Sequence, residues 1–467
     1  MKLEEIEYIL DDSIQMDEPN QNVLIHEGEF CISGKKEKYK CHGKIQFEWL
    51  PKNRVVFEGS IEKESKKFLD EHKKDFFNKF DFEQKFHIEV DGLKFGNGFI
   101  TGHSFYTRDN FLKFYGFISN TAIKGDKSIS VSKIKFSISN LKEIVGLPIN
   151  FKTDRGDGSV KGRIKLKTSK VDIIIDRSIN YDKRSSKLST QGGYVILYNG
   201  EITSNSNSLS FEEYDKVTTS LSYFLSFLNG ANCSCTFVQG IHDNKILWED
   251  FTSKPVDTYK SINSWHPIWH DNEAIQLAYD NFNELWKDKN SKNFLSVAIH
   301  WYIQSNRSSG DISGAIILAQ TGIELIFNYW IVEQKKMIIG KDAGSVRASN
   351  KLRLLLSQIK VKYAVDEKLK HLSEYCKEFE NDISAPEILV EIRNSIVHST
   401  SEKLEKVLTI PPEVKFESLQ LMIKYIELSI LKILNYDGKY FDRCSNNSSE
   451  KFFGRIVPWT KEPTHNK

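Results

Sequence analysis

Three side chains in one short segment combine the types needed to move a proton and hold an anion. The segment is Ser384-Ala-Pro-Glu-Ile-Leu-Val-Glu-Ile-Arg-Asn-Ser-Ile-Val-His-Ser-Thr400. His398 carries an imidazole whose ordinary pKa of about 6.5 lets it exchange a proton near neutral pH. Arg393 is permanently charged and forked, so it can hold an oxyanion through paired hydrogen bonds that a lysine cannot reproduce. Asn394 lies one helical turn before His398 and can orient the imidazole or donate to an anion. Arg393 and His398 stand about 140° apart around an α-helix, so one helix converges them poorly and a groove between two copies does it better. The bland alternative is a chance spacing, with His398 complementing the dipole of the last helical turn.

The helix carrying these groups is well specified. Ser384 and Glu387 form a capping box, with Pro386 tolerated in the first turn. A 100° step per residue puts Ile388, Leu389, Ile392 and Ile396 on one core stripe. The far side carries Val390 and Val397 along one line, with Arg393 on one flank and Asn394 and His398 on the other. Two valines seven apart predict a second packed surface, a dimer seam bordered by polar groups. Glu324 lies inside an otherwise apolar helix, where a lone carboxylate is costly unless paired. Either it orients Arg393 or His398, or it belongs to a salt bridge elsewhere.

Helical period dominates from residue 273 onward, predicting helices over 273–288, 293–305, 312–335, 346–359, 366–380, 386–398 and 414–435. The front half reads as strands in short alternating runs, including 95–117, 128–138, 161–168, 171–175 and 193–202. Cys233 to Phe251, turning at His242-Asp243-Asn244, reads as a hairpin. One helix interrupts, opened by the capping box Ser210-Phe-Glu-Glu213 and stopped by Gly230. The expected fold class is α+β and multidomain: a β-rich unit over 1–255, an all-α bundle over 271–440 and a surface arm over 441–467.

Bulk properties exclude several classes. The chain has 467 residues, 39% hydrophobic and 27% charged, with 10 prolines, which describes an ordinary globular protein rather than a disordered or collagenous one. A formal net charge of +2 excludes a histone-like polyelectrolyte. The acidic start predicts no secretory signal, and the apolar stretch 315–332, broken by Gln320, Thr321, Glu324 and Asn328, reads as a buried helix rather than a membrane span. Scattered cysteines fit a reducing compartment, and the cytoplasm is the expected location.

Arg393-Asn394-Ser395-Ile396-Val397-His398 resembles the Arg-x4-His motif of the HEPN superfamily, including the polar residue after the arginine. Ala319-Gln-Thr-Gly-Ile-Glu324-Leu and Leu431-Lys-Ile-Leu-Asn-Tyr-Asp-Gly-Lys-Tyr440 resemble the second and last helical segments of HEPN domains in ApeA-like abortive-infection proteins. The resemblance covers roughly residues 271–440. The front half is similar in length, position and texture to the N-terminal domain of that group, with His42-Gly-Lys-Ile-Gln-Phe-Glu-Trp-Leu-Pro51 the nearest local match.

The resemblance implies a HEPN-type bundle acting as a metal-independent, cofactor-free endoribonuclease, in which two domains pair and their motif helices build one cleft. RNA supplies its own nucleophile, the 2′-hydroxyl, so His398 as base and Arg393 as phosphate clamp suffice, with Asn394 assisting. The products would be a 2′,3′-cyclic phosphate and a 5′-hydroxyl. The implied partners are RNA, transfer RNA being one candidate, a second copy of the chain, and a phage-derived protein trigger; neither DNA nor membrane is expected. The front unit would then be a sensor restraining a toxic activity. The alternative is a non-catalytic HEPN dimerisation protein whose β-rich unit binds a protein or glycan ligand.

Weaker signals favour structure over chemistry. His266 and His270 have a helical ligand spacing, but Pro267 and the missing third ligand speak against zinc. His26, Cys31, Cys41 and His42 lack the Cys-x-x-Cys spacing of a zinc site. Asp154-Arg-Gly-Asp-Gly-Ser159 reads as a turn rather than a phosphate loop. Lys161, Arg163, Lys165 and Lys167 alternate along one strand, either as a solvated face or as phosphate contacts.

Overall fold

The computed structural model describes residues 7–33, 38–62, 64–70, 86–106, 108, 110–153, 156–269, 271–308, 310–340, 342–379, 383–397 and 408–460. The chain divides into two compact units. One comprises Met1–Leu141, Pro148–Leu221 and Cys233–Tyr259; the other comprises Lys142–Leu147, Ser222–Asn232 and Lys260–Lys467.

The first unit begins with a closed barrel. Strands β1 (Val23–Ser33), β2 (Lys38–Glu48), β3 (Arg54–Ile61), β4 (Phe86–Val90), β5 (Leu93–Tyr106) and β6 (Phe111–Gly125) pair in the order β3-β2-β1-β4-β5-β6, and β3 pairs with β6 to close the ring. Alternation sets the faces: along β2, Tyr39, Cys41, Ile45 and Phe47 are buried while Lys38, Lys40 and His42 are exposed. Cys41 and His42 thus point to opposite faces of one sheet. Aromatic rings fill the interior. Phe68, on the short helix α1 (65–70), meets Tyr39 edge-on at 4.9 Å and lies 6.3 Å from Phe114. Glycine makes room for these rings: a Cβ at Gly59 would stand 2.7 Å from Phe30 and 2.8 Å from Phe114, and one at Gly116 would stand 2.6 Å from Phe57.

Strand β6 outruns the barrel, and its end, Ile123 to Gly125, pairs with β13. A second sheet continues from there in the order β6-β13-β12-β7-β11-β10-β9-β8. Its strands are β7 (Lys133–Ser139), β8 (Leu147–Thr153), β9 (Gly156–Lys167), β10 (Val171–Arg177), β11 (Ile196–Ser204), β12 (Cys235–His242) and β13 (Lys245–Asp250). The β12–β13 turn has Asp243 and Asn244 at φ 47° and 59°, the paired positive values that a two-residue hairpin favours.

Two helices accompany this sheet, α2 (Tyr181–Gln191) and α3 (Phe211–Asn229). The capping box at the start of α3 is formed: Glu213 N donates to Ser210 Oγ at 3.3 Å and Ser210 N donates to Glu213 Oε2 at 3.1 Å. Gly230 ends the helix at φ 73°. Where the sequence predicts one helix in this half, α1 and α2 add to it. The segment forming α2 buries only Tyr181, Arg184 and Leu188, too few apolar groups for a helical period to stand out.

The basic alternation on β9 is also revised. Arg163 keeps its place in the alternation, opposite Asp176 on β10, but the N-terminal segment covers that end of the face and buries it. It donates to Asp176 at 2.7 and 2.6 Å, to Glu7 at 2.5 Å and to the Tyr8 carbonyl at 2.8 Å. Arg163 therefore anchors the N-terminal segment instead of facing solvent.

The second unit is a helical bundle: α4 (Asn272–Lys287), α5 (Lys289–Arg307), α6 (Ile312–Ile326), α7 (Asp342–Ser345), α8 (Ala348–Gln358), α9 (Lys370–Cys376), α10 (Ala385–Val397), α11 (Pro412–Ile433) and α12 (Ser448–Phe453), with a small hairpin of β14 (Lys439–Tyr440) and β15 (Arg455–Ile456). Helix α6 runs on as a π-helix over Phe327–Gln334. Together, Ile312–Gln334 is long and apolar enough to cross a membrane by length and composition, and 61% of its apolar window is buried inside the protein. Helix α11 is buried almost all round and packs on α5, α6, α9 and α10, as a core helix apolar on every side does. Helix α9 is shorter than the predicted 366–380.

The expected surface arm over 441–467 is corrected at its start. Phe441, Asp442, Arg443 and Cys444 are buried, because Asp442 and Arg443 neutralise charges that α11 carries into the core.

Candidate functional site

Helix α10 is held at its start by a network. Ser384 N and Oγ both donate to Glu387 Oε2, at 3.1 and 2.7 Å. Arg353 of α8 adds bonds to Ser384 Oγ at 2.8 Å and Glu387 Oε1 at 2.7 Å. The Ser384 hydrogen bonds, seconded by the Arg353 charge, hold the Glu387 carboxyl below its ordinary pKa. The box differs from the expected one in a single respect: the serine hydroxyl donates to the carboxylate.

The buried face of α10 comprises Ala385, Pro386, Ile388, Leu389, Ile392 and Ser395, and it packs against α6, α8 and α11. Ile396, expected in the core stripe, is half-buried, and Ser395 takes the inward place by donating to the Glu391 carbonyl at 3.0 Å. On the other side Val390 is half-buried and Val397 is exposed.

Arg393 projects from that less-buried side. Its Nη1 donates to Asn394 Oδ1 at 3.1 Å, and its Nε is enclosed without a hydrogen-bond partner. Among the described residues it meets no carboxylate within salt-bridge distance. The structure thus brings Arg393 and Asn394 together, with no carboxylate among the described residues to neutralise the guanidinium. Such a fork can take an anionic oxygen. His398 lies outside the described residues, as does His270.

Glu324, on α6, is half-buried and accepts from Gln320 Nε2 at 3.1 Å. Among the described residues it bonds neither Arg393 nor any other cation. Gln320 itself is buried, and its Oε1 has no partner.

The most elaborate polar cluster of this unit escaped the sequence reading. Arg443 donates from Nε to Glu427 Oε2 at 3.0 Å and from Nη2 to Glu427 Oε1 at 2.5 Å. It also donates to Asn306 Oδ1 at 3.1 Å, Gln420 Oε1 at 3.0 Å and the Asn263 carbonyl at 3.2 Å. Tyr302 donates to Glu427 Oε1 at 2.8 Å. Alongside, Lys424 donates to Asp442 at 2.8 Å. Burial works against the Arg443 charge, but Glu427 overcomes it and raises the pKa above the ordinary value. Burial pushes the Tyr302 hydroxyl well up, so it stays a neutral donor. Lys424 and Glu427 in an otherwise apolar helix were the available signal, since two such charges in a core require partners.

One further cation lies nearby. Lys142 keeps part of its stem in solvent, yet its ammonium is enclosed against Ser264 Oγ. Burial lowers its pKa to about 7, against the pull of Glu427 and with the help of Arg443 and Lys451. No group of three or more His, Cys, Asp or Glu side chains arranged to hold a metal ion occurs among the described residues.

Comparison with known proteins finds two family models. Residues 126–262 match the YopA central domain and residues 288–455 match the YopA C-terminal domain. The chain is 25% identical over 445 residues to the SPbeta prophage-derived uncharacterized protein YopA of Bacillus subtilis (strain 168), covering 94% of this chain and 95% of the relative. No solved structure matches. The barrel strands before residue 126 lie outside both family models.

Proposed function

We propose that this chain is a HEPN-type, metal-independent endoribonuclease that works in the cytoplasm as a homodimer. In this reading the faces of α10 around Val390 and Val397 meet across a two-fold seam. Arg393 and Asn394 from each copy then border one cleft with His398. His398 takes the proton from the RNA 2′-hydroxyl, and that oxygen attacks the adjacent phosphorus. Arg393 holds the extra negative charge that builds on the phosphate oxygens. The 5′-oxygen leaves as a hydroxyl once protonated, so no water or metal enters the bond-breaking step. An accessible in-line 2′-hydroxyl favours single-stranded loops, since A-form helices resist that geometry.

The observation that carries the reading is the state of Arg393: a guanidinium on the less-buried side of its helix, bonded to an amide and to no carboxylate among the described residues. The β-rich unit then serves as sensor or restraint. A relative described as prophage-derived fits a role in conflict between phages, with abortive infection as the outcome and a phage-derived protein as trigger.

A second reading, a non-catalytic dimerisation and binding protein, is favoured by Glu324. Its carboxylate is engaged by Gln320, and among the described residues it orients no member of the motif. Controlled expression of wild type, Arg393→Ala and His398→Ala in bacteria separates the two. Growth arrest with 5′-hydroxyl RNA fragments in chelator-treated extracts, confined to the wild type, is the expected outcome. Equal RNA profiles and equal growth in all three would leave the binding protein standing.

A further inference from the structure

The outer face of the barrel interleaves aromatic rings with cations. On β6, Lys113, Tyr115 and Phe117 stand at alternate positions and so share one face, about 6.7 Å apart along the strand. Lys113 and Tyr115 are exposed, the latter at 59%. The register places Lys113 opposite Ser60, Tyr115 opposite Glu58 and Phe117 opposite Val56 on β3. Arg54, one further step along β3, lays its guanidinium 4.8 Å from the centre of the Phe117 ring, and Phe99 lies on the same ring at 5.5 Å.

Tyr115 occupies the space where residue 102 would carry a side chain: a Cβ at Gly102 would fall 2.2 Å from its ring carbon and hydroxyl. The ring therefore rests on bare backbone and turns its remaining surface to solvent. It walls two adjoining depressions of about 220 and 340 Å³, which also share Glu58.

The charges decide what fits there. Glu58 is engaged by Lys44 at 3.4 Å and Glu48 by the Gln46 amide at 2.9 Å. Arg54 and Lys113, at the two ends of the aromatic stripe, have no carboxylate partner among the described residues, and the Arg54 Nε has no hydrogen-bond partner among them either. Two cations without a carboxylate partner among the described residues, bracketing the exposed Tyr115 ring and the half-buried Phe117, complement a flexible polyanion that carries its own flat groups. A neutral glycan would leave the cations unanswered, and an apolar peptide would leave them desolvated.

We infer that the outer face of β3, β5 and β6 binds a short stretch of single-stranded RNA, with a base on Tyr115, a second base on the Arg54–Phe117 stack, and phosphates at Arg54 and Lys113. The site goes beyond the proposed cleavage centre and does not depend on it, although a nuclease in the same chain would give such a surface its use.

The test uses the full chain with Arg393→Ala, so that the probe survives whether or not the cleavage reading holds. A fluorescein-labelled dodecauridylate is titrated by anisotropy in chelator, at about 50 and about 200 mM salt. Two phosphate contacts to a single strand predict an affinity drop of about sevenfold across that range. Tyr115→Ala should weaken binding about tenfold while Tyr115→Phe stays close to the parent. Lys113→Gln, on an exposed side chain that cannot unfold the barrel, should flatten the salt dependence. Absence of binding by the parent would overturn the proposal. So would affinities within about twofold for Tyr115→Ala and Lys113→Gln, or equal affinity for a duplex of the same length. Failure here with RNA cleavage intact would remove the barrel site alone, and binding here without cleavage would remove the nuclease alone.

Discussion

Two arginines of the helical unit are placed in opposite ways. Arg443 spends its donors on Glu427 twice, on Asn306, on Gln420 and on the Asn263 carbonyl. Among the described residues, Arg393 bonds its neighbour Asn394 and leaves Nε without a partner. A buried guanidinium must be saturated, since each unmade bond retains its desolvation penalty. One on a half-buried helix face can leave an enclosed Nε unpartnered while solvent reaches the rest of its fork. The carboxylate therefore separates the two arginines: Arg443 is held by Glu427, and Arg393 meets no carboxylate among the described residues, although both sit in the same bundle.

The sharpest way to break this comparison is at Arg443. Arg443→Ala leaves Glu427 as a buried carboxylate without its cation and takes one donor each from Asn306 Oδ1 and Gln420 Oε1. Removing one partner of such a pair costs about 3–5 kcal/mol. Loss of the helical circular dichroism signal at a much lower temperature is the expected result. The double variant Arg443→Met with Glu427→Met should recover part of that loss, because no charge is then left alone. A single variant as stable as wild type would mean that the network carries no weight.

Lys142 is a cation whose burial outweighs its attraction to Glu427. Burial lowers its pKa to about 7, below the ordinary lysine value of about 10.4. The sign follows from linkage. The folded state holds this proton less tightly than the unfolded chain, so its contribution is most unfavourable below pH 7 and fades as pH rises towards the unfolded value. Lys142→Met should thus stabilise the protein at pH 6, by roughly 3 kcal/mol once the partly exposed stem is discounted, and by much less near pH 10. Urea midpoints of the two proteins at the two pH values measure this; a difference that is flat with pH would show that Lys142 keeps its proton.

How far the sequence anticipated these placements depends on the range of the interaction. The Asp243-Asn244 turn, the Ser210–Glu213 box and the start of α10 follow from neighbours within a few residues, and they were legible. Closure of the barrel was not, because pairing of β3 with β6 joins segments far apart in the chain and no local pattern sets that register. Arg163 read as part of a basic stripe because the segment that covers it, at Glu7 and Tyr8, is distant in sequence. Arg443 read as part of a polar tail because its partners, Glu427 on α11 and Asn306 on α5, are distant in sequence. Of the candidate site, the outward Val397 agrees with the helical wheel, whereas the Arg393–Asn394 contact joins two flanks that the wheel separates; the engagement of Glu324 by Gln320, one turn earlier on the same helix, is local and went unread.

The smallest expected effect completes the comparison. Arg393→Ala removes one hydrogen bond to an adjacent side chain and also removes an enclosed Nε that had no partner. The first loss is worth little at a partly exposed site, and the second change relieves a cost. Alanine is at least as good a helix former as arginine, so α10 itself is not weakened. The net change in stability should lie within about 0.5 kcal/mol, while the same substitution is expected to abolish RNA cleavage. Thermal melts of the purified variant beside Arg443→Ala decide the matter. A loss comparable to that of Arg443→Ala would make Arg393 a structural group and undo the distinction between the two arginines, and with it the observation that carries the catalytic reading.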